Sequence, residues 1–490
     1  AYIGVYDFAS QSILFGDPSL DIDSEPTWNP SGTHIAYIRR PNQKNVVPFT
    51  PRRSYHPWSI RMLDVEKMEA KELWKADPGA GSVLYGSFPS GEKIRFAGED
   101  KLIFPWEKNG WVQLYALSVE DGLIIHLTRG EGIVEDYDLT DEGTAIYYTS
   151  NVGDSHRRHI FRIDLNGSNY SQITGGKGIE WNPIVTPAGL IILRSTAQRP
   201  AWPAIVKNSR IQDLAFDLIP KLDLSDLSDP ELIEITATDG MEVPATLFYP
   251  SDYNASKAYP AIIFLHGGSR RQMLQGFHYR GYYSNAYALN QYFASKGYIV
   301  MALNYRSGKG LGLNFREALE YGVTGASEVR DLIGAGEYLK NRTDVDDDRI
   351  GLWGGSYGGY LTAHGLAQRS DLFAVGVDIH GVHNWNTELP NFASWYDAVK
   401  FPDIARLAYQ SSPEYYVNGW KSPVLFIHGD DDRNVPFGET VYLTELLRER
   451  GVDFEQIIFP DEVHSFLLHK HWIIAQTATF EFIHNALSKK

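Results

Sequence analysis

The chain has 490 residues, 43% of them apolar and 13% aromatic, and no cysteine. That length allows two or three domains with large cores, while the missing cysteine excludes disulfides, thiol catalysis and cysteine-ligated zinc and fits either cytoplasm or periplasm. A net charge of −16 argues against nucleic acid or an anionic membrane as partner, and no apolar run approaches the ~20 residues that span a bilayer.

From Ala1 to Ser228 there is little helical periodicity, and short apolar strands recur behind polar turns. Pro30 to Tyr37, Gly98 to Phe104, Asp141 to Tyr147 and Pro187 to Ile192 each read as a turn followed by a strand. Second strands such as Gln113 to Leu117 and His159 to Asp164 follow, then third strands ending in Leu127-Thr128 or Ile173-Thr174. A unit of roughly 40 to 50 residues is the period of a β-propeller blade. Four units fit between Pro26 and Lys207, preceded by Tyr2 to Phe8, which reads as the outer part of an earlier blade. The competing expectation, a generic β-sandwich, is disfavoured because the order of strand types repeats. Trp28-Asn29-Pro30 and Trp181-Asn182-Pro183 echo one another and are expected at matching blade positions. The basic run His156-Arg157-Arg158-His159 is expected to be a solvated hairpin.

A linker from Lys221 to Pro230 divides this half, residues 1–228, from residues 229–490, where strands and helices alternate. Leu232 to Ile235 and Val243 to Tyr249 predict a hairpin entering a sheet, and Ala261 to Leu265 predicts a buried strand running into His266-Gly267-Gly268. Ile299 to Asn304 is another buried strand, followed by a glycine-rich loop from Arg306 to Gly312 and a helix from Ser327 to Lys340. The loop lacks the Gly-Lys-Thr/Ser ending of a phosphate-binding loop, so nucleotide binding is disfavoured. Asp344, Asp346 and Asp348 space like the start of a calcium loop, yet Arg349 and Gly355 stand where glycine and glutamate are required.

Next comes Gly354-Gly355-Ser356-Tyr357-Gly358-Gly359, between the strand Arg349 to Trp353 and the amphipathic run Tyr360 to Ala367. Glycines flank the serine in a nucleophile elbow because side chains would collide in so sharp a turn. A serine so placed needs a base and an orienting acid, in the chain order Ser, Asp, His. Downstream, the strand Pro423 to Ile427 opens into His428-Gly429-Asp430-Asp431-Asp432, and the strand Phe454 to Phe459 is followed by His464. His464 is the expected base, and any of the three aspartates could be the acid. His380 and His383 lack a third ligand at suitable spacing, so no metal site is expected. No cofactor is expected either.

The elbow through Tyr360, the run His428 to Pro436 and the spacing to His464 together resemble the prolyl oligopeptidase family of serine peptidases, in its acylaminoacyl-peptidase and dipeptidyl-peptidase branches. The resemblance covers Asp229 to the end. It implies a β-propeller followed by an α/β-hydrolase with a doubly wound, mostly parallel sheet, and it selects Asp432 as the acid. The oxyanion donors it implies are the Tyr357 N–H and, because His266-Gly267-Gly268 replaces a tyrosine-bearing loop, a backbone N–H near Gly267. His266 either braces that loop or touches substrate, and Trp385 falls where relatives wall the specificity pocket. Relatives carry seven or eight blades, so the four here, with no initiator methionine, lead to the expectation of an N-terminally truncated piece of a longer protein. The implied activity is hydrolysis of short peptides through an acyl-enzyme on Ser356, as an exopeptidase (dipeptidyl or acylaminoacyl) or an oligopeptidase. A carboxylesterase is the alternative, and an inert propeller binding protein the third reading. The partners expected are short peptides, with no nucleic acid and no membrane span; a homo-oligomer is left open. The resemblance favours an exported, periplasmic enzyme over a cytoplasmic one.

Overall fold

The computed structural model describes residues 1–84, 93–208, 210–220, 224 and 226–488. Its N-terminal strands form a two-stranded hairpin, Ile3–Asp7 with Ser12–Gly16, and then four four-stranded antiparallel sheets, each in simple chain order. The sheets start at Ile22, Arg95, Val134 and Ile179, and the last ends at Asp213. Each is a blade of the propeller, because its apolar faces are covered by the next blade rather than by helices. Ala36, Ile38 and Ile60 of the first blade pack with Leu102, Phe104 and Leu117 of the second. Ile103, Leu114 and Ala116 on the opposite face of that second blade pack with Ile146, Tyr148 and Phe161 of the third.

Trp28 and Trp181 do not occupy matching positions. Both lie in the first strand of their blade, but Trp28 ends its strand opposite Ile35 whereas Trp181 pairs with Leu193 at the other end of its strand. The shared tripeptide marks a strand type and not a register, because each first strand carries its own register shift.

Lys221, Leu222, Asp223 and Ser225 of the expected linker lie outside the described residues. From Glu231 the chain builds an eight-stranded sheet. The hairpin Glu231–Thr236 and Glu242–Phe248 forms an antiparallel edge, followed in space by the parallel strands Ile299–Leu303, Tyr259–Leu265, Val345–Gly355, Val375–Ile379, Val424–Gly429 and Phe454–Phe459. Near-continuous apolar runs suit strands buried on both faces. Ala261, Ile263 and Leu265 point to one core with the helices Glu328–Lys340, Tyr357–Gln368 and Gly438–Glu449. Ile262 and Phe264 point to the other, with Gly281–Ser295 and His469–Ser488. Tyr259–Leu265 has its successor in sequence on one side and Val345–Gly355 on the other, so strand order reverses between the latter two. The crevice at the carboxyl ends of such strands is where doubly wound sheets place ligands. No helix among the described residues is long and apolar enough to cross a membrane.

The run His156 to His159 is buried and not solvated. Arg158 Nε donates to Glu135 Oε2 at 2.6 Å and its Nη2 to Gln272 Oε1 at 2.9 Å, while His159 Nδ1 lies 2.9 Å from Glu180. Lys309, from the glycine-rich loop, reaches the same Glu135. Burial alone would raise that carboxyl, but Arg158 and Lys309 hold it well below the usual carboxylate range. A second buried pair, Arg316 forked onto Glu107 at 2.6 and 2.7 Å, also joins blade to hydrolase. A basic run looks solvated only while its acids are out of sight, and these come from distant strands.

Candidate active site

Ser356 sits between the strand Val345–Gly355 and the helix Tyr357–Gln368 with φ 58° and ψ −120°, a strained conformation for any residue but glycine. The turn is tight enough that a Cβ on Gly354 would lie 2.6 Å from the Leu265 carbonyl oxygen, and one on Gly358 would collide with that same oxygen. The Ser356 N–H is shared between the Ile379 carbonyl at 2.9 Å and His380 Nδ1 at 3.1 Å.

Of the three aspartates, Asp432 is the one that meets His464. Asp430 accepts from the Asp461 N–H at 2.7 Å, and Asp431 pairs with exposed Arg433. Asp432 is buried, with Oδ1 accepting the N–H groups of Asn434 and Val435 at 2.8 and 3.0 Å and Oδ2 lying 2.6 Å from His464 Nδ1. Burial would raise its carboxyl, but the hydrogen bonds from His428 and His464 hold it well below the usual range. An ionised Asp432 fixes the proton of His464 on Nδ1 and leaves Nε2 as the free base.

Ser356 and His464 share the wall of one cavity of about 520 Å³. Gly267 reaches the nucleophile: a Cβ there would be 3.3 Å from Ser356 Cβ and 3.2 Å from the Tyr283 hydroxyl. Tyr357, first residue of the helix, also lines the cavity, and its hydroxyl is spent on Glu328 at 2.6 Å. Trp385 is in the wall as well. His266 is not. It is fully buried beneath the loop, stacked on Tyr305 at 4.2 Å, and burial lowers its pKa to about 4. Its Nδ1 lies 3.0 Å from the carbonyl oxygen of Gly267.

Three contributors carry no sequence motif. Phe49, from the loop joining the second and third strands of the first blade, stands 4.7 Å from Trp385 and 5.0 Å from Phe392, ring to ring. Tyr283, in the helix Gly281–Ser295, abuts Gly267. His380 lies 4.1 Å, ring to ring, from His464, and burial first, then His464 and His428, push its pKa well down, so it is neutral. Sequence spacing paired His380 with His383 and supplied no third ligand; the fold instead sets His380 beside Asp432 and His464, with one donor atom of each within 4.8 Å of the others. His383 turns away to Asp378 at 2.8 Å. His380 Nδ1 accepts the Ser356 N–H and Asp432 holds His464 Nδ1, while His380 Nε2 is buried with no hydrogen-bond partner among the described residues.

Residues 285–490 match the Prolyl oligopeptidase family, and residues 83–198 match the Dipeptidyl peptidase IV (DPP IV) N-terminal region. The chain is 30% identical over 261 residues to Dipeptidyl-peptidase 5 of Porphyromonas gingivalis, a match covering 51% of this chain and 37% of that protein. It is 32% identical over 253 residues to human Dipeptidyl peptidase 8, covering 49% of this chain and 27% of that protein. Each match thus spans well under half the length of these curated relatives. Among solved structures, a Mycobacterium tuberculosis puromycin-hydrolyzing peptidase superposes with a TM-score of 0.78 at 18% identity, over 97% of this chain and 72% of that one. Acylaminoacyl peptidase of Pyrococcus horikoshii gives 0.60 at 18% identity, over 99% and 85%. These two likenesses establish a shared fold of propeller and hydrolase. Over residues 285–490, the chain is similar to the prolyl oligopeptidase family.

Proposed function

We propose that this chain is a serine peptidase that hydrolyses short peptides through an acyl-enzyme on Ser356. The observation that carries the reading is the 2.6 Å hydrogen bond between His464 Nδ1 and Asp432 Oδ2 at a cavity wall that His464 shares with the strained Ser356. His464 Nε2 takes the Ser356 Oγ proton as that oxygen attacks the scissile carbonyl, and Asp432 stabilises the imidazolium. The backbone N–H groups of Tyr357 and Gly267 receive the oxyanion. Collapse breaks the C–N bond, with His464 returning the proton to the leaving amine. Water, deprotonated by the same histidine, then releases the acid.

In this reading residues 229–490 are the catalytic domain and residues 1–228 a cap. Phe49 of the cap contributes to the aromatic wall, which suits a short extended peptide better than a bulky folded one. The names of the relatives, dipeptidyl and acylaminoacyl peptidases, favour removal of a terminal unit.

The test is mass spectrometry of a mixed library of free and N-acetylated short peptides incubated with the protein and with Ser356→Ala. Serine-dependent release of dipeptides, acyl-amino acids or internal fragments supports the reading and fixes the specificity. Serine-dependent hydrolysis of p-nitrophenyl esters with no peptide cleaved would replace it with an esterase.

A further inference from the structure

The chain is strongly acidic overall, at −16, yet among the described residues no aspartate or glutamate lines the cavity at Ser356, and two arginines do, Arg271 and Arg280. Neighbouring cations are neutralised: Arg270 pairs with Glu317 at 2.7 Å, Arg316 with Glu107 at 2.6 Å, and Arg158 and Lys309 with Glu135. Arg271 donates Nη1 to the Arg270 carbonyl at 2.9 Å and has no carboxylate partner among the described residues. Arg280 also borders a second cavity, of about 300 Å³, that Glu135 and Asp136 line.

Both guanidiniums act near the nucleophile. Arg271 follows the glycine loop at 267 and 268, and Arg280 precedes the helix that carries Tyr283. The Tyr283 hydroxyl and Ser356 Cβ lie 3.2 and 3.3 Å from the same point, where a Gly267 Cβ would be. Burial raises this phenol, and the charges of Arg271 and Arg280 draw it back down. Two half-buried guanidiniums in one cavity wall suit a carboxylate, because the guanidinium fork matches it in geometry and sign.

We propose that Arg271 and Arg280 bind a carboxylate of the peptide being cleaved, so that the cavity selects peptides carrying negative charge close to the scissile bond. The proposal rests on the peptidase reading above. Its carboxylate comes either from an acidic side chain beside the scissile bond or from a nearby free C-terminus.

Two matched substrate pairs test it: C-terminally amidated peptides differing only as Glu against Gln beside the cleaved bond, and one neutral peptide as free acid against amide. Wild-type kcat/KM should favour the carboxylate member of one pair roughly ten- to hundredfold, the usual worth of a charge-assisted hydrogen bond. The pair that responds identifies the source. The ratio should fall towards one in Arg271→Gln and Arg280→Gln and be partly kept in the corresponding lysine variants. Wild-type ratios within about threefold in both pairs, less than one such bond supplies, would overturn the proposal without recourse to any variant. Turnover of these peptides and of p-nitrophenyl acetate, with Ser356→Ala as control, separates the two levels. Serine-dependent peptide turnover without carboxylate preference removes this proposal alone; no serine-dependent peptide turnover, with or without ester turnover, removes the peptidase reading and this proposal with it.

Discussion

Phe49, carried by a loop of the first blade, lies ring to ring 4.7 Å from Trp385, the first residue of a hydrolase helix. Its backbone holds φ 53°, unusual for a bulky residue, and a Cβ on Gly322 would approach its carbonyl to 2.5 Å. The first blade therefore contributes a residue to the wall of the cavity at Ser356. Phe49→Ala should lower kcat/KM on peptides about tenfold, the value of one lost aromatic contact of ~1.4 kcal/mol. Steady-state kinetics on a cleaved peptide check this, and an unchanged constant would mean that the aromatic wall does not touch substrate.

The catalytic dyad makes a sharper prediction. Asp432→Asn keeps the shape but lets His464 adopt the wrong tautomer, so kcat should fall by roughly 10⁴. Because wild-type Asp432 stays ionised well below the usual carboxylate range, its own proton should not appear in the acid limb of kcat/KM. An acid limb that carries the Asp432 proton, or a loss under tenfold in the variant, would contradict the assignment.

Buried neutral histidines set the response of stability to acid. Burial lowers His156 and His266 to about 4 and His364 to about 3. The unfolded chain takes up these protons below about 6.5 while the folded chain does not, so the unfolded state binds more protons and stability falls as pH falls. The loss is confined to the window from pH 6.5 down through 4 to 3 and should reach at least about 1 kcal/mol per pH unit there. Urea unfolding midpoints at pH 7, 6 and 5 measure it; a flat midpoint across that range would show that these rings are not buried neutral.

Arg316 and Glu107 predict an asymmetry between breaking and replacing a buried pair. Arg316→Ala strands a carboxylate that burial already pushes up, and should cost about 3–5 kcal/mol. The double variant Arg316→Met with Glu107→Leu should recover most of that, because no uncompensated charge remains. Urea midpoints of the three proteins decide it, and a double variant no more stable than the single one would refute the account.

Much of the site was legible because its chemistry is local. Glycines around Ser356 answer a backbone clash, and the strand ends before Asp432 and His464 follow from apolar runs, so order along the chain gave the elbow and its partners. The four blades were legible for the same reason, as turn and strand repeat. What stayed hidden depends on meeting across the fold. Phe49 is an unremarked aromatic until a blade loop carries it to Trp385, and Arg158 looks solvated until Glu135 and Gln272 surround it. His266 carries a motif yet is buried, stacked on Tyr305. The repeated Trp-Asn-Pro misled, since local sequence marks a strand and its pairing marks the position.

The account stands on Ser356 as a nucleophile activated by His464. Intact mass and peptide mapping after exposure to diisopropyl fluorophosphate test this directly. One phosphoryl adduct on Ser356 in the wild type, absent in Ser356→Ala and strongly slowed in His464→Ala, is the result expected. No adduct, or an adduct on another residue that survives loss of Ser356, would contradict it.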